Sequence, residues 1–235
     1  MIETPKLVLE AIAGDVDVLH VFVGYDARGL PSIMDACAGT SIEVFGLKPS
    51  AFESWTDAKA SQGVIAVATS PSLDFDDRFD ASDSATDQML VALDVSDPGN
   101  LGTLIRTAEA AGCKGVVVAG SSVDVLSPKV VRSSAGSVLR IPLAEVTDDL
   151  VNRLHAYGYS VIAATMDGQP YDQMESGDRS VAWVLGSEAH GVPDDLLGAV
   201  DDIVSIPMFG SVESLNVGTA GSVLAFDHAR RRRSA

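Results

Sequence analysis

The sequence predicts an α/β protein in two units: a small three-layer unit, then a larger one built on a mostly parallel, doubly wound sheet. Three observations carry this. Short apolar runs alternate with helical periodicity in both halves. The runs of the second half are continuously apolar, as strands covered on both faces are. An aspartate-rich stretch, LDFDDRFDASDSATD over 73–87, separates the halves and reads as a solvated acidic linker between units 1–72 and 88–235.

In the first unit, Leu7, Val8, Ala11 and Ile12 recur at helical spacing. The strand VLHVFVG follows from Val18 to Gly24. A second helical stretch runs over Leu30–Ala38, then come strands at Ile42–Phe45 and, as GVIAVAT, at Gly63–Thr69. In the second unit strands are predicted at Met89–Leu93, Gly115–Ala119, Val138–Ile141, Ser160–Ala164, Val181–Leu185 and Ile203–Ile206. One helix carries Leu101, Leu104, Ile105 and Ala108 and stops near Gly112, a suitable C-cap residue. Another covers Asp148–Tyr157, and the last starts near Ser214 and continues into the arginine run at 230–233.

With 235 residues, 46% of them apolar and 21% charged, the chain can bury a core without staples, which excludes disorder, collagen and coiled coil. No apolar run reaches the roughly 18 residues of a membrane span. The start MIETPKLVLEAIAG has no basic segment followed by an apolar block, so no signal peptide is expected. Two cysteines, Cys37 and Cys113, give neither a disulfide framework nor a metal site, and imply a reducing, cytoplasmic setting. Sixteen basic against 33 acidic residues leave a net charge of −17. Such a surface repels phosphate backbones, so any nucleic-acid contact needs a local basic patch.

The glycine-rich nucleotide motifs and the nucleophile elbow are absent, and His20, His155, His190 and His228 show no ligand spacing. Three other stretches stand out. In DVSDPGNLGTLIRTAEAAGCKGVVVAG, 94–120, a strand runs through a Pro-Gly turn straight into a helix. Asn100 there either caps the helix or points into a cleft. Arg106 lies about 200° from Leu104 and about 100° from Ile105 around the helix, outside the apolar stripe. An exposed helix arginine is the ordinary reading of such a position. In WVLGSEAHGVP, 183–193, Glu188 follows a buried strand, where open α/β sheets bind ligands. A helix-start acid stabilised by the dipole is the competing reading. In IPMFGSVESLNVGTAGSVLAFDHAR, 206–230, Ser214 opens the final helix, Asn216 sits in its first turn, and Gly218 and Gly221 require close packing.

Together and in this order, the three stretches resemble the signature motifs of the SpoU-type RNA 2'-O-ribose methyltransferases of the SPOUT superfamily. The likeness covers 89–230. The first unit, ending in QGVIAVA at 62–68, is similar to the L30e-like substrate-binding domain of that family. Gly218 departs mildly from the pattern, standing where the family often has serine or alanine.

The resemblance implies a C-terminal trefoil knot, a homodimer whose active site draws on both subunits, and S-adenosylmethionine as cofactor without a metal. It implies catalytic roles for Asn100, Arg106, Glu188, Ser214 and Asn216. Cofactor contacts would come from Gly186, Ser187, Ile206, Met208, Leu215 and Asn216. RNA contacts would come from Lys129, Arg132 and Arg140. The arginines at 230–233 read equally as an RNA-binding tail or as a solvated helix end. The implied activity is 2'-O-methylation of a ribose, in ribosomal RNA by preference. The alternatives are a tRNA ribose methyltransferase and a non-catalytic RNA-binding or ribosome-assembly protein of the same fold.

Overall fold

Thr4 and Pro5 begin the first helix. The Thr4 hydroxyl accepts the backbone N–H of Leu7, and Pro5 occupies a position where its missing N–H costs nothing. The computed structural model describes residues 1–25, 27–55, 62–80, 87–174 and 179–233. In the first unit the elements are β1 (Ile2–Glu3), α1 (Pro5–Ala13), β2 (Val18–Gly24), α2 (Leu30–Cys37), β3 (Glu43–Leu47), α3 (Pro49–Glu53) and β4 (Val64–Ala68). They form a mixed sheet in the order β1-β4-β2-β3. Val21 and Val23 alternate onto the face where Leu7, Val8, Ala11, Ile33 and Cys37 are buried.

The acidic stretch is not solvated throughout. Residues 75–78 form α4 (Phe75–Arg78), capped by Asp74, whose carboxylate accepts the N–H of Asp76 at 2.9 Å. Phe75 and Phe79 are buried against the second unit, and Tyr157 meets Phe75 edge-on with centroids 4.9 Å apart. Glu145 N–H also bonds the Leu73 carbonyl at 2.8 Å. Two phenylalanines four residues apart were the signal, hidden by the aspartates around them. The remainder of the linker, 81–86, lies outside the described residues. Phe75→Ala is expected to cost about 3–5 kcal/mol in urea unfolding. A loss below about 1 kcal/mol would mean that this segment is not docked.

The second unit contains β5 (Gln88–Leu93), α5 (Pro98–Ala110), β6 (Gly115–Ala119), α6 (Pro128–Ser133), β7 (Leu143–Val146), α7 (Leu150–Ala156), β8 (Tyr159–Pro170), β9 (Ser180–Leu185), α8 (Asp194–Leu197), β10 (Asp202–Ser205) and α9 (Val217–Arg232). Its sheet is parallel throughout, in the order β10-β8-β9-β5-β6-β7. Leu90 and Ala92 face one buried cluster, while Met89, Val91 and Leu93 face another, which is why β5 is apolar at every position from Met89 to Leu93.

Three expected boundaries are corrected. Val138–Ile141 is not a strand: Ser137–Leu139 makes a 3₁₀ turn and the strand is β7. Pro142 has no N–H to give a ladder, and pairing starts at its carbonyl, which accepts Val116 N–H at 3.0 Å. Val138 and Ile141 are buried in the core, not paired in the sheet. β8 runs well past Ala164, because its polar end pairs with β10 after a register break between Ile203 and Val204. The final helix begins at Val217, with Asn216 as its cap, and Ser214 lies in the loop before it.

The close packing required by the α9 glycines is present. A Cβ on Gly221 would collide with Leu104, and one on Gly218 would lie 2.8 Å from Thr103 Cγ2. The Thr107 and Ser222 hydroxyls are 2.8 Å apart across the same contact.

Farther along α9, His228 is 3% exposed and stands edge-on to Trp183, and neither ring nitrogen has a hydrogen-bond partner among the described residues. Burial, reinforced by Arg232 and Arg231, pulls its pKa down to about 4. The folded value lies below the unfolded one, so this contribution is whole above about pH 6.5 and is lost as pH falls towards 4. At pH 5 the loss is about 2 kcal/mol relative to pH 7. Comparing urea midpoints at the two pH values in the parent and His228→Gln checks this. An unchanged pH dependence in the variant would rule it out.

Candidate functional site

The C-terminal ends of β8 and β9 and the segment after β10 converge on a cleft of about 670 Å³. Open parallel sheets bind ligands at such an edge. Residues 164–167, 185–192 and 205–208 line it, with Glu213, Ser214, Leu215, Val217 and Ala220. Of the expected cofactor contacts, Gly186, Ser187, Ile206, Met208 and Leu215 line the cleft, and Asn216, which caps α9, stands between the lining residues Leu215 and Val217.

The turn after β9 shapes one wall. Gly191 N–H bonds the Ser187 carbonyl at 2.8 Å, and the Ser187 hydroxyl accepts His190 N–H at 3.3 Å. Gly191 has φ +65°, a left-handed conformation that favours glycine. Gly186 has a different constraint: a Cβ there would overlap the Gly191 carbonyl. The cleft thus offers bare backbone beside the apolar side chains of Leu185, Val192, Ile206 and Leu215. Backbone polar groups and an apolar slot suit an adenine ring, and the carboxylates of Asp167, Glu188 and Glu213 suit a cationic sulfonium. S-adenosylmethionine fits this set of groups.

Asn100, Glu188 and Asn216, drawn from three separated stretches, form one hydrogen-bonded cluster. Asn216 Oδ1 accepts the N–H groups of Gly218 and Thr219 at 3.0 and 3.4 Å, capping α9. That fixes which way its amide faces. Its Nδ2 donates to Asn100 Oδ1 at 2.7 Å and to Glu188 Oε1 at 3.5 Å. Asn100 Nδ2 donates to the same Glu188 oxygen. Asn100 therefore points to the cleft, and the cap of α5 is Asp97, which accepts Asn100 N–H at 2.8 Å.

Arg106 is exposed on α5, does not line the cleft, and has no hydrogen bond or ion pair among the described residues. Six residues along a helix carry it about 9 Å from Asn100. The structure does not bring it to the cluster within one chain.

Two of the three cations expected to contact RNA are ion-paired within the chain. Arg132 bonds Glu3 at 2.5 Å, and Arg140 bonds Glu10 at 2.8 Å and Glu109 at 2.5 Å. The pairs with Glu3 and Glu10 tie the second unit to the first, and the pair with Glu109 stays within the second. Hydrogen bonding from Arg140 holds the Glu109 carboxyl below its ordinary range. Arg132 and Arg140 are thus struts between the units, a role that sequence spacing cannot distinguish from an RNA-facing one. Lys129 is exposed. In the arginine tail, Arg230 and Arg231 pair with Asp227, and Arg232 lies 3.6 Å from Asp87.

Sequence reasoning missed Asp167, His190 and Glu213, all lining the cleft. An Asp-Gly step three residues beyond the apolar run Ser160–Ala164 was the available signal for Asp167.

Residues 87–226 match the model of the SpoU rRNA Methylase family. The chain is 33% identical over 229 residues to the 23S rRNA (guanosine(2553)-2'-O)-methyltransferase RlmP of Bacillus subtilis, covering 96% of this chain and 86% of that protein. It is 36% identical over 176 residues to the 23S rRNA (guanosine-2'-O-)-methyltransferase RlmB of Bordetella pertussis, covering 73% and 71%. Among solved structures, the SpoU methyltransferase AviRb of Streptomyces viridochromogenes in complex with AdoMet superposes with a TM-score of 0.85 at 26% identity, covering 98% of this chain and 88% of that one. A family match spanning more than half of the chain, a relative alike over nearly its whole length and the cleft described above agree: the chain belongs to the SpoU rRNA methylase family.

Proposed function

We propose that the protein transfers a methyl group from S-adenosylmethionine to the 2'-oxygen of a ribose in ribosomal RNA. The observation that carries this is the Asn100–Glu188–Asn216 cluster at the mouth of a backbone-lined cleft. The Bacillus relative, which acts on 23S rRNA, matches the first unit as well as the second, and that favours ribosomal over transfer RNA. The intact cluster favours an enzyme over a non-catalytic assembly protein. The reading places the protein with its RNA in the cytoplasm.

The bound donor supplies an electrophilic methyl on a positively charged sulfur. Transfer forms the O–CH₃ bond as the S–CH₃ bond breaks, and the hydroxyl proton leaves to solvent. Arg106 stays protonated, since a guanidinium cannot act as the base. Its fixed charge stabilises the negative charge developing on the 2'-oxygen. Asn100 and Asn216 orient the ribose, and Glu188 holds both amides in register. Ser214, exposed at the cleft, contacts the substrate.

Because Arg106 stands outside its own chain's cleft, it serves the cleft of a second copy, and the active form is a homodimer through the methyltransferase unit. Phe209, 99% exposed, with Val212 and Phe226, supplies apolar surface for that contact. Units 1–72 and 88–235 divide the work, the first as the L30e-like domain that recognises folded RNA by shape and the second as the SPOUT domain. β8 lies between β9 and β10 in the sheet, and loops 185–192 and 205–217 meet beside it, an arrangement that supports a trefoil knot. Lys129 remains as an RNA contact.

The test is incorporation of label from S-adenosylmethionine into total ribosomal RNA, followed by alkaline hydrolysis. The expected product is an alkali-resistant dinucleotide. Labelled bases, or no incorporation, would exclude the reaction.

A further inference from the structure

Among the described residues, the cleft lining contains three carboxylates, those of Asp167, Glu188 and Glu213, and neither lysine nor arginine. Glu188 is engaged by Asn100 and Asn216. Asp167, on the polar end of β8, and Glu213, in the loop before α9, have no hydrogen bond or ion pair among the described residues. Both are exposed, and they reach the cleft from different elements. The first unit's acids, by contrast, include Glu3 and Glu10, which are paired with arginines. Two unpaired carboxylates with no cationic side chain beside them give the cleft a negative potential, which favours a positively charged ligand.

We infer that Asp167 and Glu213 read the charge of the sulfur: they hold the sulfonium donor and release its demethylated product. The inference rests on the methyltransferase reading. S-adenosylmethionine carries an ammonium, a sulfonium and a carboxylate, one net positive charge. Once the methyl has moved to the ribose oxygen, the sulfur is a neutral thioether and S-adenosylhomocysteine has no net charge. The two ligands are otherwise the same in shape apart from one methyl, so a neutral cleft has little with which to tell them apart. An acidic cleft loses one attraction at the moment of transfer, which speeds product departure. The same charge keeps phosphates out of the cofactor slot, so the RNA presents its ribose at the rim without entering. Two carboxylates worth roughly threefold each give about tenfold discrimination together.

The experiment is calorimetric titration of the full chain with S-adenosylmethionine and with S-adenosylhomocysteine, at low and at physiological salt. It uses the parent, Asp167→Asn, Glu213→Gln and the double variant. Exposed, near-isosteric changes leave folding intact, and unfolding curves verify that. The parent is expected to favour the cation by about tenfold at low salt, less at high salt. The double variant is expected to bring the ratio close to one by weakening the donor while leaving the product's affinity within about twofold. A parent that binds both ligands equally, or a ratio unchanged in the double variant, overturns this inference alone. Binding of neither ligand by the parent overturns the cofactor assignment and the inference with it.

Discussion

Replacing Arg106 with alanine is expected to lower the rate of methyl transfer by at least 10²–10³-fold while changing the affinity for S-adenosylmethionine by less than about twofold. The two effects separate because Arg106 touches nothing in its own chain's cleft. Removing it leaves Gly186, Ile206 and Leu215 as they were. On the proposed reading, what is lost is a fixed positive charge beside the oxygen where negative charge develops. Arg106→Lys keeps the charge but loses the planar fork, and is expected to recover only part of the rate. Single-turnover kinetics with saturating cofactor isolate the chemical step. Activity equal to the parent in Arg106→Ala would remove this residue from the mechanism.

Replacing Gly186 with alanine is expected to have the opposite signature, a loss of cofactor affinity of about 100-fold or more. Its Cβ would overlap the Gly191 carbonyl and lie 2.7 Å from the Val192 nitrogen, backbone atoms that cannot swing aside. Relief requires opening the turn that forms the cleft wall. Gly191→Ala provides the contrast. A Cβ at that position meets nothing within 4 Å, and the penalty is the left-handed backbone alone, roughly 1 kcal/mol. Calorimetry on both variants, with unfolding curves to verify folding, separates collision from strain. If Gly186→Ala binds the cofactor as the parent does, the turn after β9 is not its cradle.

Much of the fold was legible because the parallel sheet writes itself as continuous apolar runs. β5, β6 and β9 coincide closely with their runs for that reason. Legibility failed where a local feature overrode composition. Pro142 moved a strand from Val138–Ile141 to Leu143–Val146. Two phenylalanines docked a segment that its aspartates made look solvated. Asn216 caps α9, whose first residue, Val217, lies three positions beyond Ser214, where the sequence suggested a start, and a capping residue is identified by its geometry more than by its type. In the site, Asn100, Glu188 and Asn216 were readable from motifs, yet their mutual hydrogen bonds were not, since they join residues 88 and 116 positions apart. The pairing of Arg132 and Arg140 with Glu3, Glu10 and Glu109 was not readable either, since it joins residues distant in sequence. Asp167 and Glu213 escaped notice because isolated acids are common in a chain of net charge −17.

On the proposed mechanism, a cleft on one chain works with a guanidinium from another. Mixing two inactive proteins tests it most directly. Arg106→Ala retains a sound cleft, and Gly186→Ala retains a sound arginine. After dissociation and random reassociation of equal amounts, half of the dimers are mixed, and one site in each has both parts. The account predicts recovery of about one quarter of parental transfer activity. Activity no higher than that of the two variants measured apart, with mixed dimers present, would contradict it.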